Sequence, residues 1–138
     1  MSTPTLIGVP YDASSSFLEG AADAPPLVRQ ALWSPAGNSW SELGINIETQ
    51  LDDAGDVSFD PARDPREVIE SAVAALLDRQ CCPIVLGGDH SITYPVMRAV
   101  HRAKGRVTML QVLQSAKKCA VRSAVWIKLI VMPKTVSH

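Results

Sequence analysis

The clearest chemistry in the sequence lies in one short turn, which contains Gly87, Gly88, Asp89, His90 and Ser91. The two glycines permit a sharp turn and a close approach of a ligand or of a neighbouring strand. A neutral imidazole is a common metal ligand, so His90 could bind a metal ion, with Asp89 either binding it as well or orienting the imidazole. The spacing alone leaves a second interpretation open, in which His90 is a hydrogen-bonded loop histidine with a structural role.

The elements that would position this turn alternate between strands and helices. Strands are predicted at residues 6–9, 45–51, 83–86 and 107–112, and helices at residues 25–32, 64–79 and 92–103. Residues 52–56 are predicted to be a turn-rich loop. This alternation indicates βαβ units and a mostly parallel sheet, which places the chain in the α/β class. In such sheets ligands bind at the carboxyl ends of the strands, where the turn with His90 would lie.

The longest predicted helix carries its own start signal. Asp64 is a suitable N-cap, Pro65 would be the first helical residue, and Glu67 occupies the third position. The apolar residues that follow repeat at helical spacing at positions 68, 69, 72, 73, 76 and 77. They predict one buried face.

Composition excludes several classes of protein. The chain has 138 residues, which fits one domain and is long enough to bury a core. With 13 Lys and Arg against 14 Asp and Glu, the net charge is −1, which argues against a nucleic-acid binder and against a disordered acidic protein. No stretch approaches the roughly 20 apolar residues of a membrane-spanning helix, so we expect no membrane partner.

The cysteines and the first residues favour a reducing compartment. The first residues carry neither a basic segment nor a long apolar run, so no secretory signal is expected. Cys81, Cys82 and Cys119 are odd in number and two of them are adjacent, unlike a disulfide framework. Cys81 and Cys82 precede an apolar strand and are predicted to be buried, unreactive thiols. We therefore expect a cytoplasmic location.

Charge is distributed unevenly along the chain. Residues 1–107 contain 8 basic side chains and all 14 acidic ones, whereas residues 108–138 contain 5 basic side chains and no acidic one. The basic residues also change from mostly Arg to mostly Lys. We therefore predict that residues 1–110 are part of an α/β domain and that residues 111–138 are a basic tail of different character.

Four motifs occur in the order in which a known family has them. They are Gly-Val-Pro-Tyr-Asp at 8–12, Glu-Gly-Ala-Ala-Asp-Ala-Pro at 19–25, Asp-Ala-Gly-Asp at 53–56 and Leu-Gly-Gly-Asp-His-Ser-Ile-Thr at 86–93. Together they resemble the ureohydrolase family of arginases and agmatinases, nearest to its bacterial agmatinase-like members, over residues 5 to about 110. The resemblance implies a three-layer α/β/α fold with a parallel sheet, of which this chain would be the N-terminal part. It also implies assembly as an oligomer.

The resemblance further implies a reaction. Members of the family use two Mn²⁺ ions, and a hydroxide that bridges them attacks the guanidinium carbon of a linear amidine such as agmatine, so that urea leaves. Two metal ions suit this reaction because they lower the pKa of water and stabilise the developing charge. His90 matches the first metal-ligand histidine of the family, and Asp89 matches the residue beside it. A small guanidino compound is the implied partner.

The sequence departs from the family after the fourth motif. The family has an Asp-Ala-His-x-Asp motif after the strand that begins here at Val107, and an Asp-x-Asp pair later. Residues 107–114 contain neither Asp nor His, and Asp89 is the last acidic residue of the chain. The earlier acids that could substitute are expected to be solvated loop residues; they are Asp12, Asp23, Asp53 and Asp56. His101 is expected to be an exposed helix residue.

Two functions remain open from the sequence. The first is an agmatinase-like hydrolase of C–N bonds in linear amidines by descent, inactive as this chain alone because most metal ligands are absent. The second is a non-catalytic fragment or accessory domain that associates with a full-length ureohydrolase. The change near residue 110 agrees with a shifted reading frame or altered splice, or with a truncated paralogue that has a new tail.

Overall fold

The computed structural model describes residues 2–15, 19–107 and 109, which form three strands and four α-helices. The strands are β1 (Pro4–Val9), β2 (Asp52–Asp56) and β3 (Cys82–Gly87). The α-helices are α1 (Ala24–Leu32), α2 (Ile47–Gln50), α3 (Pro65–Asp78) and α4 (Thr93–Lys104). Short 3-10 turns, Ala21–Asp23 and His90–Ile92, precede α1 and α4. No helix in this part of the chain has the length and apolar character needed to cross a membrane.

The three strands form one parallel sheet in the order β2-β1-β3. Strand β1 pairs with β3 along its whole length, from Pro4 opposite Cys82 to Val9 opposite Gly87. Because the strands run in the same direction, their carboxyl ends share one edge of the sheet, which we call the carboxyl edge. The parallel sheet and the α/β class predicted from the sequence are confirmed.

Helices cover both faces of this sheet. Ile7 and Val9 of β1 and Val85 of β3 belong to the apolar core that α3 and α4 complete. Gly8 lies between them in β1, so a Cβ at that position would be on the opposite face of the sheet. It would lie 2.9 Å from the Arg29 guanidinium of α1. The crossovers through α1 and through α3 run in opposite directions along the sheet, so right-handed connections place these helices on opposite faces. The result is the three-layer α/β/α arrangement that was predicted.

Helix α3 begins where local chemistry predicts. The Asp64 side chain accepts a hydrogen bond from the Arg66 N–H at 2.9 Å, and Pro65 is the first helical residue. A cap of this kind satisfies one of the backbone N–H groups that a helix start leaves without a partner. The predicted apolar face is buried, with the exception of residue 72, which is half-buried; its buried members are Val68, Ile69, Val73, Leu76 and Leu77.

One charged group is buried between α3 and α4. The Glu70 side chain is 8% exposed and forms ion pairs with Arg98 and Arg102, which lie one turn apart on α4. Its Oε1 atom has no hydrogen bond of regular geometry, but the Arg102 guanidinium lies against it and supplies the compensating charge. Because a buried carboxylate needs such compensation, these ion pairs select the relative position of the two helices.

The prediction for residues 45–56 is wrong. Residues predicted as a strand contain the one-turn helix α2, which begins because the Asn46 side chain accepts a hydrogen bond from the Glu48 N–H at 3.0 Å. Residues predicted as a loop form β2, whose residues are exposed apart from the half-buried Gly55. An edge strand of this kind depends on backbone pairing with its neighbour and tolerates charged side chains. The apolar pattern therefore did not mark it.

The prediction that the adjacent cysteines are buried is also wrong. Cys82 is exposed and Cys81 is half-buried, and both are free thiols. Their position explains this, since they lie at the amino end of β3, where the Cys82 N–H donates to the Thr3 carbonyl oxygen at 2.7 Å. Residues 108 and 110–112 of the predicted strand at 107–112 lie outside the described residues, and so does all of the predicted tail at 111–138 with Cys119.

Candidate functional site

The turn with His90 follows β3 at the carboxyl edge, as predicted. It is joined to the last residue of β1 and to the segment that follows by two backbone hydrogen bonds. The Gly88 N–H donates to the Val9 carbonyl oxygen at 3.0 Å, and the Asp89 N–H donates to the Tyr11 carbonyl oxygen at 2.8 Å. The two chain segments therefore remain paired beyond the ends of their strands.

The close approach of these segments requires glycine at position 88. A Cβ added to Gly88 would lie 1.8 Å from the Tyr11 carbonyl oxygen, a backbone atom. At Gly87 a Cβ would instead meet the Cδ1 end of the Ile92 side chain at 2.3 Å, and that end can move. The approach of a neighbouring strand, one of the two reasons given for the glycines, is confirmed for Gly88.

Asp89 is buried, and both of its carboxylate oxygens accept hydrogen bonds. Oδ1 accepts from the Ser91 N–H at 2.8 Å and from the Ser91 hydroxyl at 2.5 Å. Oδ2 accepts from the Ser14 N–H at 3.1 Å. The first two bonds cap the 3-10 turn that carries His90, and the third joins this turn to the loop after β1.

His90 occupies the first position of that 3-10 turn and is exposed at the carboxyl edge. Its backbone is held on both sides, because Asp89 caps the turn and the Thr93 hydroxyl donates to the His90 carbonyl oxygen at 2.8 Å. Helix α4 follows at once. His90 therefore lies on a hydrogen-bonded turn between β3 and α4, a position that suits a binding or catalytic side chain.

The earlier acids lie near the same edge but are engaged elsewhere. Oδ2 of Asp12 accepts hydrogen bonds from the Gly20 N–H at 2.6 Å and from the Ala22 N–H at 3.2 Å, which closes the loop leading into α1. Asp23 is exposed, as expected. Asp53 and Asp56 are exposed, as expected, but they lie in β2 and not in a loop. Both of them, like the half-buried Asp12, bind partners that hold parts of the fold together.

Asp53 and Asp56 both bind Arg29 of α1. The Arg29 Nε donates to Asp53 Oδ2 at 2.7 Å, Nη1 donates to Asp56 Oδ1, and Nη2 donates to the Gly55 carbonyl oxygen at 2.8 Å. Gly8 makes this possible, since a Cβ there would lie 1.8 Å from Asp56 Oδ1. We call Arg29, Asp53, Asp56 and Gly55 the Arg29 network. It attaches α1 to the edge strand β2.

The Arg29 network shifts the pKa of two of its members. The hydrogen bond to Asp53 raises the pKa of Arg29, although burial acts in the opposite direction. Burial acts to raise the pKa of Asp53, but hydrogen bonds from Arg29 and from the Gly55 N–H outweigh it and hold that pKa below its usual range. Both shifts favour the charged forms, so the ion pair is present at neutral pH.

The described residues do not form a complete site for two manganese ions. Across residues 2–15 and 19–107, no three side chains of His, Cys, Asp or Glu are grouped so that they could hold a metal ion. Both oxygens of Asp89 accept hydrogen bonds from protein donors, and Asp12 and Asp56 have partners of their own. Among the described residues, His90 is the exposed histidine that follows β3 at the carboxyl edge.

A separate groove of about 310 Å³ runs along the outer face of α4. It is lined by Tyr94, Met97, Arg98, His101, Arg102 and Val107. His101 is exposed there, which confirms the prediction, and it is part of no cluster with His90. None of these described lining residues carries a carboxylate, the ligand type that manganese prefers.

Comparison with known proteins agrees with this arrangement. The Arginase family is matched over residues 2–112. Arginase 1, mitochondrial, of Oryza sativa subsp. indica is 43% identical over 110 residues, which are 72% of this chain and 32% of that protein. The chain thus spans about a third of the length of the curated relatives it matches.

Two solved structures extend the comparison to the fold. A hypothetical agmatinase from Burkholderia thailandensis has a TM-score of 0.69 at 28% identity, over 78% of this chain and 36% of that one. Formiminoglutamase of Trypanosoma cruzi, determined with Mn²⁺, has a TM-score of 0.63 at 30% identity, over 75% of this chain and 36% of that one. The motifs, the parallel sheet and these similarities together show that the chain belongs to the arginase family.

Proposed function

We propose that the chain provides the first metal ligand, His90, and the surrounding sheet edge of a manganese-dependent hydrolase. Its substrates would be linear amidines, with a guanidino compound such as agmatine converted to an amine and urea. The observation that carries this proposal is the exposed His90 at the carboxyl edge of a parallel sheet that belongs to the arginase family. The similar proteins are named arginase, agmatinase and formiminoglutamase, which supports an amidine substrate and does not choose among the three.

We also propose that these 138 residues do not catalyse the reaction by themselves. Manganese prefers carboxylate oxygens together with some imidazole. Residues 90–138 contain no Asp or Glu, and the carboxylate of Asp89 accepts three hydrogen bonds from protein donors. One exposed histidine does not supply the ligands of two metal ions.

Activity is tested by urea release from agmatine and from arginine with the purified chain in Mn²⁺. We expect no release above that of a protein-free control. Release that is abolished by His90→Ala and retained by His101→Ala would show that the chain is active and that our proposal of inactivity is wrong. His101 is the matched control because it is also an exposed histidine that joins no cluster with His90.

The ligand role of His90 is tested separately by NMR of the histidine ring protons during a Mn²⁺ titration. Bound Mn²⁺ broadens the signals of its ligands, so we expect the His90 ring signals to broaden at lower Mn²⁺ concentration than those of His101. The effect should persist in His101→Ala and the corresponding signals should be absent in His90→Ala. Equal broadening of both rings would reject His90 as a preferred metal ligand.

Two further proposals concern the surroundings of the chain. We propose a cytoplasmic location, because Cys81 and Cys82 are free thiols and a reducing compartment keeps them so. We retain association with a full-length ureohydrolase, or with further copies of this chain, as the alternative to an independent enzyme. Co-purification with such a relative would support the alternative, and a monomeric chain without partners would contradict it.

A further inference from the structure

The buried carboxylate of Asp89 joins two segments that are far apart in the sequence. Ser14, whose N–H it binds, lies 75 residues before it, in the loop after β1. Ser91 lies two residues after it, in the 3-10 turn that carries His90. With 9% of its surface exposed, Asp89 is one of the few buried charged residues in the described part of the chain.

Asp89 also has little capacity for another ligand. Oδ1 binds two donors of Ser91, and Oδ2 binds the Ser14 N–H. A metal ion on either oxygen would compete with donors that are already in place, and charged acceptors make hydrogen bonds roughly twice as strong as neutral ones. The backbone of Asp89 is held as well, because its N–H donates to the Tyr11 carbonyl oxygen at 2.8 Å.

We propose that Asp89 is a positioning residue, and not a metal ligand, which fastens the loop after β1 against the turn that carries His90. This role deepens and rests on the proposed function, since Asp89 directly precedes His90 and joins its turn to Ser14. Ser14 is exposed as a residue and its N–H donates to Asp89, so we expect this bond to be the main protection of that amide against hydrogen exchange. The same loop is closed at its other side by Asp12, which binds the Gly20 and Ala22 N–H groups.

The variant Asp89→Asn tests the proposal because it keeps the shape of the side chain and removes one acceptor. The amide oxygen will take the position of Oδ1, where two Ser91 donors converge, so the amide NH₂ will face the Ser14 N–H. We expect the Ser14 amide to exchange its hydrogen at least about tenfold faster, in line with the loss of one charged hydrogen bond. The Ser91 amide should change much less. Hydrogen exchange measured by NMR reports both amides in one sample.

Asp60→Asn is the matched control. The exposed Asp60 also accepts a hydrogen bond from the amide two residues later, that of Ala62, at 2.9 Å, and its replacement removes the same charge. Exchange at Ser14 should be unchanged in this variant. Unchanged Ser14 exchange in Asp89→Asn would overturn the proposal, and so would equal acceleration at Ser14 and Ser91.

The unaltered chain provides a second measurement that does not depend on the stability of a variant. A scalar coupling through the hydrogen bond between the Ser14 nitrogen and the Asp89 carboxylate carbon is expected, and its absence would contradict the proposal. Mn²⁺ titration of Asp89→Asn separates the two possible roles, since His90 ring broadening should persist if Asp89 only positions the loop. Loss of that broadening with unchanged Ser14 exchange would make Asp89 a ligand. No broadening in either protein would reject the metal site while leaving the exchange result to decide the role of Asp89.

Discussion

Replacing Gly88 with alanine should be among the most damaging single-methyl changes in the described part of the chain. The new Cβ would lie 1.8 Å from the Tyr11 carbonyl oxygen, whereas real Cβ contacts essentially never fall under 3.0 Å. The segments after β1 and β3 would therefore have to separate by about 1.2 Å. Such a shift would break the bonds from Gly88 to Val9 and from Asp89 to Tyr11, now 3.0 and 2.8 Å long.

The magnitude follows from these losses. Two backbone hydrogen bonds contribute about 1 kcal/mol each, and forcing extra volume into a packed site costs about 1–3 kcal/mol. Alanine also lowers the entropy of the unfolded chain, which offsets about 0.4–1 kcal/mol. We expect Gly88→Ala to lower the free energy of unfolding by about 2–4 kcal/mol, measured as a lower urea midpoint at an unchanged slope.

Two other glycines provide graded controls for this prediction. At Gly87 the new methyl would meet the mobile end of Ile92, so a rotamer change costing about 1 kcal/mol suffices. At Gly37 the closest atom is the Ser34 carbonyl oxygen at 3.1 Å, so the effect should lie within about 0.5 kcal/mol of zero. A loss at Gly88 no larger than that at Gly87 would refute the argument from backbone contact.

Three further predictions concern local interactions. The pKa of Asp53 is held below its usual range, so its ion pair with Arg29 contributes fully to stability above that range, and the contribution is lost as the pH falls through the lowered pKa. The stability difference between the unaltered chain and Asp53→Asn should therefore shrink as the pH falls from neutral into the acidic range, and a difference that stays constant would contradict this. Arg29→Lys should lower the free energy of unfolding in urea by about 1–2 kcal/mol, because an ammonium group cannot reproduce three bonds made by one planar guanidinium. A decrease below about 0.5 kcal/mol would show that the Arg29 network contributes little to stability. Asp64→Ala should cost about 1 kcal/mol through loss of the α3 cap, and Asp64→Asn should restore most of it if the cap is the cause.

Elements held together by neighbouring residues were predictable. Helix α3 was predicted almost to its ends because its cap, its first proline and its apolar repeat all act within a few residues of one another. Strand β3 was predicted for a related reason, since Val85 and Leu86 are buried and the middle of the strand is accordingly apolar. The turn with His90 could be placed at the carboxyl edge because it follows such a strand.

Elements that depend on distant partners were not predictable in this way. Strand β2 contains three aspartates and exists because β1 offers it a line of backbone donors and acceptors. Its acids were expected in solvent, and the Arg29 that binds them lies 24 residues before Asp53. The sequence contains no local signal for this pairing, although the glycine at position 8 agrees with it once the structure is known.

The sequence by itself determined the family, the α/β class and the location of His90, because ordered motifs and local periodicity carry that information. Only the tertiary structure decided what the carboxylates do. Asp89 binds a donor 75 residues away, and Asp53 and Asp56 bind a helix on another layer. Since a carboxylate binds a metal ion or a protein donor depending on what the fold brings within about 3 Å of it, its role is set by the packing of the chain.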